Sequence, residues 1–526
     1  MHKHGLILAV VSVLAFFSPI SEAQRWLAVD TRHRAMGHAG TAGSSGPVSL
    51  YWNPATLAAR DDGKRDSSRM HMDGMVDLAI QGDVIASADR LVDLLNETSL
   101  DDLQGRFDQG DISEGDIRGM LEIIGGIADL TEPGSGVVAD VGGGLAYQRG
   151  SLGLSYRYYS RIGLTAVLDT GPESGLSLAD DGLEDLNNGL DRIVQQRIDE
   201  GEPLNRPGTE AGRTFSRELR DIALEQGVIL SQAASDEMAF QGEQVFGDAL
   251  IDGRAAEVLR LVLDSTAGIT GGDGSGLSIA RNDSGLEYRG IRFHELTLAK
   301  GFDLGRTGHD IRVGIAGRLL QGRTFLRRIN FREIEDGGQV LGEVFDSFDS
   351  RTRESTRMTM DAGLTYSPQE WVTLGLSGRN LVPVSFPYSD GGDFDLKPQA
   401  RAGLSLQPTS LPWLKLMLDG DLTKNSSAAA PGYESRILGG GIEVTTRFRD
   451  AAFILRGGSF VNLASELLGQ VYTAGAELHY GAFFVSIEGH VTADNVDIES
   501  ASIETSRRDF PERLGGSVAM GFNLWF

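Results

Sequence analysis

Apolar and polar residues alternate with a period of two along many segments of this chain. In the C-terminal segment RLGGSVAMGFNLWF, one face carries large apolar side chains and the other carries small or polar ones; the apolar face comprises Leu514, Val518, Met520, Phe522, Leu524 and Phe526. The segment 151–168 alternates in the same way. The half-buried strands of soluble sheets are usually about five or six residues long. Longer alternating segments are typical of strands that cross a bilayer at a tilt.

The pattern predicts about fourteen strands, an even number as bacterial single-chain barrels require. They are 68–80, 136–149, 151–168, 286–304, 310–330, 354–367, 370–381, 398–407, 412–423, 434–448, 450–462, 470–480, 483–494 and 513–526. The connections are alternately long and short, which matches external loops and periplasmic turns of outer-membrane barrels. We therefore expect an all-β protein, a transmembrane antiparallel β-barrel with both termini at the periplasmic side. The alternative is a soluble secreted β-protein.

Two of the long connections have helical spacing. They are 81–135 and 169–285, with helices predicted near 182–200, 214–227 and 231–266. In the first connection Ser99 and Ser113 precede Asp102 and Asp116 by three residues, as in capping boxes. We expect these to be helical insertions in extracellular loops 1 and 2.

Composition narrows the location and the partners. The 74 Asp and Glu against 48 Lys and Arg give a net charge of −26, which argues against binding to nucleic acid. The chain has no cysteine and so no disulfide. Residues 1–23 have the layout of a signal peptide, with an apolar run from Leu6 to Phe17 and a cleavage site after Ala23. An uncleaved anchor is the alternative. We expect export to the outer membrane of a Gram-negative cell, with membrane lipid around the barrel.

The segment before the first strand is rich in small residues. Residues 33–58 read HRAMGHAGTAGSSGPVSLYWNPATLA. Its glycines permit close approach to a wall, and Pro54 sets a turn after Asn53. A barrel of this width needs filling or conducts water. We therefore predict that residues 24–62 form a hatch inside the barrel domain, 63–526. The alternative is a periplasmic tail.

Several charged residues fall on the inward face of the predicted strands. They include Arg157, Arg161, Asp361, Asp419 and Glu477. Two interpretations remain open. The side chains form a wall of ion pairs that holds the hatch, or Arg157 or Arg161 binds the carboxylate head group of a ligand.

Metal binding and catalysis find little support in the sequence. Glu477, His479, Glu488 and His490 project inward from one hairpin. If its turn is 481–482, His479 lies opposite Phe484 and His490 opposite Thr473, so the four do not converge. No nucleophile elbow, paired-His helix or nucleotide fingerprint is present. We therefore expect no metal, no cofactor and no catalytic residues.

At residues 34–58, RAMGHAGTAGSSGPVSLYWNPATLA resembles the N-terminal signature of FadL-like outer-membrane proteins, the long-chain fatty acid transporters and PorV relatives. The segment HELTLAKGFDLGRTGHDIRVGIAGRLLQGRTFLRRINF at 294–331 is similar to the central strands of the TraF-like conjugal-transfer branch. The resemblance implies a fourteen-strand barrel whose hatch turn is Asn53, Pro54 and Ala55. The resemblance to the transporters further implies that hydrophobic ligands bind in the lumen and leave sideways through the barrel wall.

These observations predict passive, hatch-controlled passage or binding of a small hydrophobic or amphipathic ligand. The alternative is a non-transporting scaffold, an assembly partner of a conjugation or secretion apparatus that binds a protein through its external helices.

Overall fold

A closed barrel of fourteen strands forms the body of the computed structural model. The structure describes residues 23–24, 26–59, 67–81, 106, 112–130, 135–167, 182–225, 227–246, 285–305, 310–330, 352–389, 392–427, 430–465, 469–498 and 508–525. The predicted signal peptide therefore lies outside the described residues, except Ala23. The barrel strands are β2 (Ser67–Gln81), β3 (Gly136–Arg149), β4 (Leu152–Val167), β5 (Gly285–Asp303), β6 (Asp310–Asn330), β7 (Thr352–Gln369), β8 (Val372–Arg379), β11 (Gln399–Leu406), β12 (Leu414–Asp421), β15 (Ile437–Phe448), β16 (Ala451–Asn462), β17 (Val471–Tyr480), β18 (Phe483–Thr492) and β21 (Arg513–Trp525).

The strands follow one another around the barrel in chain order, each antiparallel to its neighbours, and β21 closes the ring against β2. The fourteen strands coincide with those expected from alternation, with ends that differ by a few residues. The prediction of a closed antiparallel barrel is therefore confirmed. A closed ring leaves no strand edge unpaired, as hydrocarbon requires of any spanning sheet.

Large apolar side chains cover the outside of the barrel. Ile487 and Val518, paired across β18 and β21, are 58% and 61% exposed. Exposed aromatic rings gather near the short turns: Phe302, Trp371, Trp413, Phe448, Tyr480, Phe483 and Phe522. Aromatic residues of this kind form the girdle at the membrane interface of outer-membrane barrels. The outer surface is therefore built for contact with lipid.

Three small sheets at the loop end of the barrel were not predicted from the sequence. They are the hairpin β9 (Val384–Pro387) and β10 (Asp393–Leu396), the sheet of β1 (Ala23–Gln24), β13 (Asn425–Ser427) and β14 (Ala430–Ser435), and the hairpin β19 (Asn495–Ile498) and β20 (Arg508–Pro511). In the first hairpin Phe386 and Phe394 are buried and pack against Phe293 of the barrel wall, with ring centroids 4.9 and 5.8 Å apart. This hairpin thus covers part of the lumen.

Four helices lie in the two long loops, as predicted: α3 (Glu114–Leu130), α4 (Gly182–Glu200), α5 (Glu210–Glu225) and α6 (Gln232–Phe246). Ser113 and Asp116 form the expected capping box, because Asp116 N–H donates to Ser113 Oγ and Ser113 N–H donates to Asp116 Oδ2, at 3.2 and 2.9 Å. The Ser99–Asp102 pair and residues 247–266 lie outside the described residues. None of the described helices is long and apolar enough to cross a membrane.

The helices pack as a bundle through α6. Glu237 of α6 is buried and accepts hydrogen bonds from Asn205 and Gln241, at 3.1 and 3.0 Å. Arg118 of α3 reaches Gln241 at 3.1 Å. A satisfied polar network of this type rigidifies the packing of the helices.

Residues 26–59, here called the lumenal segment, lie inside the barrel. They contain α1 (Thr31–Ala35), α2 (Ser49–Trp52) and a 3₁₀ helix, Pro54–Ala58. Nearly all of these residues are buried, and Trp52 and Arg34 are completely so. The segment begins beside β13 at the loop end of the barrel and returns to the turn end before β2.

Candidate functional site: the filled lumen

Asn53 ties the lumenal segment to itself and to the wall. Its side-chain amide donates to the carbonyl of Thr41 at 2.8 Å and to that of Leu364, on β7, at 3.2 Å. Its Oδ1 accepts from Ala55 N–H at 3.0 Å and so caps the 3₁₀ helix that Pro54 opens. Proline suits this first helical position because its missing N–H has no partner to lose. The structure thus places Asn53, Pro54 and Ala55 in one buried turn against β6 and β7.

Glycines on both surfaces let the segment approach the wall. A Cβ at Gly314 or Gly363 would overlap with Pro54 or Asn53. On the segment, Gly37 has a left-handed φ of 64°, and a Cβ there would overlap with carbonyl oxygens of the wall. The close approach of the segment's glycines was predictable from the sequence, but their counterparts on the strands were not.

Two arginines of α1 fasten the segment to the wall. Arg34 donates to Glu488 at 2.9 Å and lies 3.6 Å from Asp77. Arg32 forms a two-pronged pair with Glu443, at 2.8 and 2.9 Å. Bidentate pairs of this kind are the strong ones, and removing one partner from a buried pair costs about 3–5 kcal/mol. The segment is therefore held by ion pairs as well as by close packing.

Asp30 organises the first turn of the segment. Its carboxylate caps α1 through His33 N–H at 3.1 Å, contacts His33 Nδ1 at 2.8 Å and accepts from Trp52 Nε1 at 2.5 Å. Burial alone would raise the pKa of Asp30, but the nearby His33 and these hydrogen bonds hold that pKa well below its usual value. Asp30 is therefore ionised in the folded protein.

The five charged site residues predicted from the sequence all face inward, each with a partner. Arg157 pairs with Asp73 at 3.0 Å and Arg161 pairs with Asp140 at 2.6 Å. The remaining contacts are Asp361 with Arg318 at 3.3 Å, Asp419 with the N–H groups of Gly40 and Thr41 at 2.8 Å, and Glu477 with Arg456 at 2.9 Å. These pairs match the ion-pair wall of the first interpretation.

Only two of those five residues, Arg157 and Arg161, line the same cavity. This cavity, here called the lumenal cavity, has a volume of about 30 Å³ between the start of the lumenal segment and the wall. Its lining is Trp26, Leu27, Val29, Tyr51, Met75, Gly142, Gly143, Arg157, Tyr158, Tyr159, Arg161, Glu295, Arg318, Arg379, Asn380, Leu396 and Gln399. Glu295 lies on the inward face of a predicted strand, so alternation alone could have indicated it.

Aromatic faces and cations meet at this cavity. The guanidinium of Arg379 lies 3.8 Å from the ring centroid of Tyr51 and 5.8 Å from that of Trp26. Four nitrogen donors at the cavity are buried with no hydrogen-bond partner among the described residues: Trp26 Nε1, Arg318 Nε, Arg379 Nη1 and Gln399 Nε2. Buried donors are normally satisfied, by water or ligand if not by protein. The site is therefore rich in donors and flanked by apolar surface.

The hairpin of β17 and β18 has the predicted register, with His479 opposite Phe484 and His490 opposite Thr473. Each histidine instead contacts the glutamate two residues before it on its own strand. Within the part of the chain that the structure describes, no group of three or more His, Asp or Glu residues could hold a metal ion.

The wall beside the cavity is continuous. Strand β4 pairs with β3 from Leu152 to Leu164 and with β5 from Leu152 to Val167, without a break in register. The resemblance to fatty acid transporters implied a sideways exit through the wall. The described ladders on both sides of β4 leave no such opening.

A closed, lipid-facing barrel whose lumen holds its own N-terminal segment defines an outer-membrane-type β-barrel. A family model described as "F plasmid transfer operon, TraF, protein" matches residues 50–421, and the chain belongs to this family. The resemblance to the TraF-like branch is thereby confirmed. A comparison with curated protein sequences finds no match.

Solved structures similar to this chain include a transporter and a hydrocarbon channel. The toluene transporter TodX of Pseudomonas putida is 11% identical, covers 96% of this chain and 100% of its own, and has a TM-score of 0.38. The monoaromatic hydrocarbon channel CymD and a FadL homologue of Pseudomonas aeruginosa are each 9% identical, with TM-scores of 0.39 and coverage of 96% and 100%.

Proposed function

We propose that this barrel binds a small amphipathic molecule in its lumenal cavity and passes it across the outer membrane, with the lumenal segment as the hatch. The ligand carries an acceptor-rich or anionic head group on an apolar body. The observation that supports this proposal is the set of unpartnered donors at Trp26, Arg379 and Gln399 beside the rings of Tyr51 and Tyr159. Binding sites of this type combine apolar walls with a few convergent polar groups.

The size of the cavity argues that the segment must move for a ligand to enter. A cavity of about 30 Å³ holds about two waters, since each needs roughly 10–15 Å³ by this measure. Pockets for small organic ligands are roughly ten times larger or more. Trp26, Leu27 and Val29 are the lining residues that belong to the start of the segment, so their displacement enlarges the site.

The route runs along the barrel axis. Continuous pairing of β4 with both neighbours closes the wall beside the cavity. A ligand that enters from the loop end is released toward the turn end when the segment shifts. The gradient of the ligand drives this movement.

Calorimetric titration of the detergent-purified protein with octanoate and with octanol tests the proposal. Octanoate binds more tightly than octanol, because only its head group is charged. Arg379→Gln weakens octanoate binding about tenfold or more, the value of a lost hydrogen bond to a charged group. The control is Arg213→Gln, an exposed arginine of α5 that lies outside the cavity, and it leaves the affinity unchanged. Absence of octanoate binding, or equal loss in both variants, contradicts the proposal.

A scaffold role is the second candidate, and exposed apolar residues on the helical bundle favour it. Ile198, Leu224 and Ile229 are 52%, 64% and 79% exposed. A photocross-linking residue placed at Leu224 or Ile229 yields a discrete adduct in cells if these residues dock a protein. The same residue at Arg217, which is also exposed, is the control. No adduct, or the same adduct at all three positions, rules this candidate out.

A further inference from the structure

A second and much larger cavity opens at the turn end of the barrel, below the lumenal segment. Its volume is about 1030 Å³, and we call it the basin. Its lining includes Arg32, Arg447, Arg449 and Arg456, together with Glu443 and Glu477. An open cavity of this size is not needed to hold the lumenal segment or to form the ligand site proposed above, so its size needs a separate explanation.

The charge of the basin is opposite to that of the whole protein. Six Lys and Arg side chains line it against four Asp and Glu. The complete chain has 48 basic and 74 acidic residues. A cleft lined with an excess of one charge concentrates ligands of the opposite charge. The basin therefore attracts anions although the protein as a whole repels them.

Four of the six cations of the basin fall into two groups. Arg32 and Arg456 are committed to Glu443 and Glu477. Arg447 and Arg449 are exposed at the rim, and neither has an ion pair or hydrogen bond with any residue in the described ranges. These two side chains are available to an occupant.

The backbone conformation of Arg449 is a second, independent indication that the basin is a functional site. Arg449 has a φ of 43°, in the left-handed region, in the turn between β15 and β16. Arginine costs roughly 1–2 kcal/mol there, whereas glycine adopts this conformation freely. Other short turns of the barrel have glycine at this conformation, at Gly150 and Gly481. Strained residues of this kind cluster at functional sites.

We propose that the basin binds an acidic peptide segment of a periplasmic partner protein. The volume exceeds what a single inorganic anion fills and lies in the range of an organic ligand or a short segment of chain. The lining supplies what such a segment needs: cations at Arg447 and Arg449, amides at Gln407 and Asn523, and apolar surface at Ile454 and Phe484. The carboxylates at Glu443 and Glu477 disfavour a dense polyanion.

A peptide bound in the basin also contacts the lumenal segment. Arg32, Ser45 and Val48 belong to that segment, whereas Glu443 and Arg456 belong to the wall. A bound carboxylate competes with Glu443 for Arg32, because both are anions within reach of the same guanidinium. A periplasmic partner thereby contacts the segment and the barrel at once.

Fluorescence anisotropy on the full-length protein in detergent tests the proposal. The probe is a fluorescein-labelled hexapeptide of alternating Glu and Ala; the comparison peptide has Gln in place of Glu. The Glu peptide binds, its affinity falls as salt is raised, and the Gln peptide does not bind. The double variant Arg447→Gln with Arg449→Asn weakens binding at least tenfold. Asparagine is used at 449 because it tolerates the left-handed conformation.

The matched control removes the same charge elsewhere. Arg213→Gln with Arg217→Gln changes two exposed arginines of α5 and leaves peptide binding within twofold. Heat-modifiable migration in detergent gels verifies that both variants remain folded barrels. Three outcomes overturn the proposal: no binding of the Glu peptide, equal loss in both double variants, or equal competition by inorganic phosphate at the same concentration. Octanoate binding in the lumenal cavity is measured independently, so failure of one proposal is distinguishable from failure of the other.

Discussion

At the scale of single residues, buried polar side chains hold the lumenal segment in place. Asp30, Arg34 and Asn53 are each 0% exposed, and each makes several hydrogen bonds or ion pairs. An unpaired buried polar group costs about 1–3 kcal/mol, so each partner constrains the other. The position of the segment is thereby fixed by specific contacts at several points along it.

The ionised Asp30 gives a pH dependence that can be measured. Its folded pKa is lowered, so its contribution to stability is complete above the unfolded pKa of about 3.9 and is lost as the pH falls below that value. We expect Asp30→Asn to lower the thermal midpoint at pH 7. The difference from the unchanged protein narrows on acidification below about pH 4. Gel migration after heating measures the midpoint, and a difference that widens in acid contradicts the assignment.

The roles of individual residues were only partly predictable from the sequence. The turn at Asn53 was anticipated because proline and asparagine restrict the backbone locally. The pairing of Arg157 with Asp73 was not, because alternation shows which face a residue occupies but not how neighbouring strands are staggered. Trp26 was missed because no periodic pattern surrounds it.

At the scale of elements, the wall and the lumenal segment fit by small residues on both sides. Gly314 and Gly317 lie on the same strand, β6, with different surroundings. A Cβ at Gly314 would overlap with the Pro54 backbone, whereas a Cβ at Gly317 would meet nothing within 4 Å. We expect Gly314→Ala to lower the free energy of unfolding by about 1–3 kcal/mol, the usual cost of overpacking.

The matched variant Gly317→Ala is the control for the glycine prediction. It leaves stability unchanged or slightly raised, since glycine weakens strands. Urea-induced unfolding in detergent compares the two variants. Equal stability of the two would show that Pro54 does not press against β6.

Substitutions on the outward face of the strands test whether this face contacts the membrane. Ile487 lies near the middle of β18 and Phe483 at its end by the short turn. Arginine costs about 2–4 kcal/mol near the midplane of a bilayer and about 0–1 kcal/mol near the interface. Ile487→Arg should therefore hinder insertion into vesicles, while Phe483→Arg has little effect. Equal insertion of both variants would argue against a lipid-facing position for Ile487.

Strands were predictable because lipid on one side and a polar lumen on the other impose strict alternation. The hairpin of β9 and β10 was not, since each of its strands has only four residues. A segment that short shows no period, and burial of Phe386 against Phe293 depends on a contact between residues distant in the chain.

At the scale of the whole molecule, the barrel is a closed ring of paired strands, with a register shift between β7 and β8, and the lumenal segment lies inside it. The lumenal cavity on one side of that segment is small and rich in donors, and the basin on the other side is large and cationic. The passage proposed above therefore requires movement of the segment.

The most direct test of this account is the conductance of a variant lacking residues 24–62 in planar lipid bilayers. We expect the unchanged protein to conduct little and the deletion variant to form a stable, water-filled pore, with heat-modifiable migration showing that its barrel has assembled. An assembled deletion variant with the conductance of the unchanged protein would contradict the account.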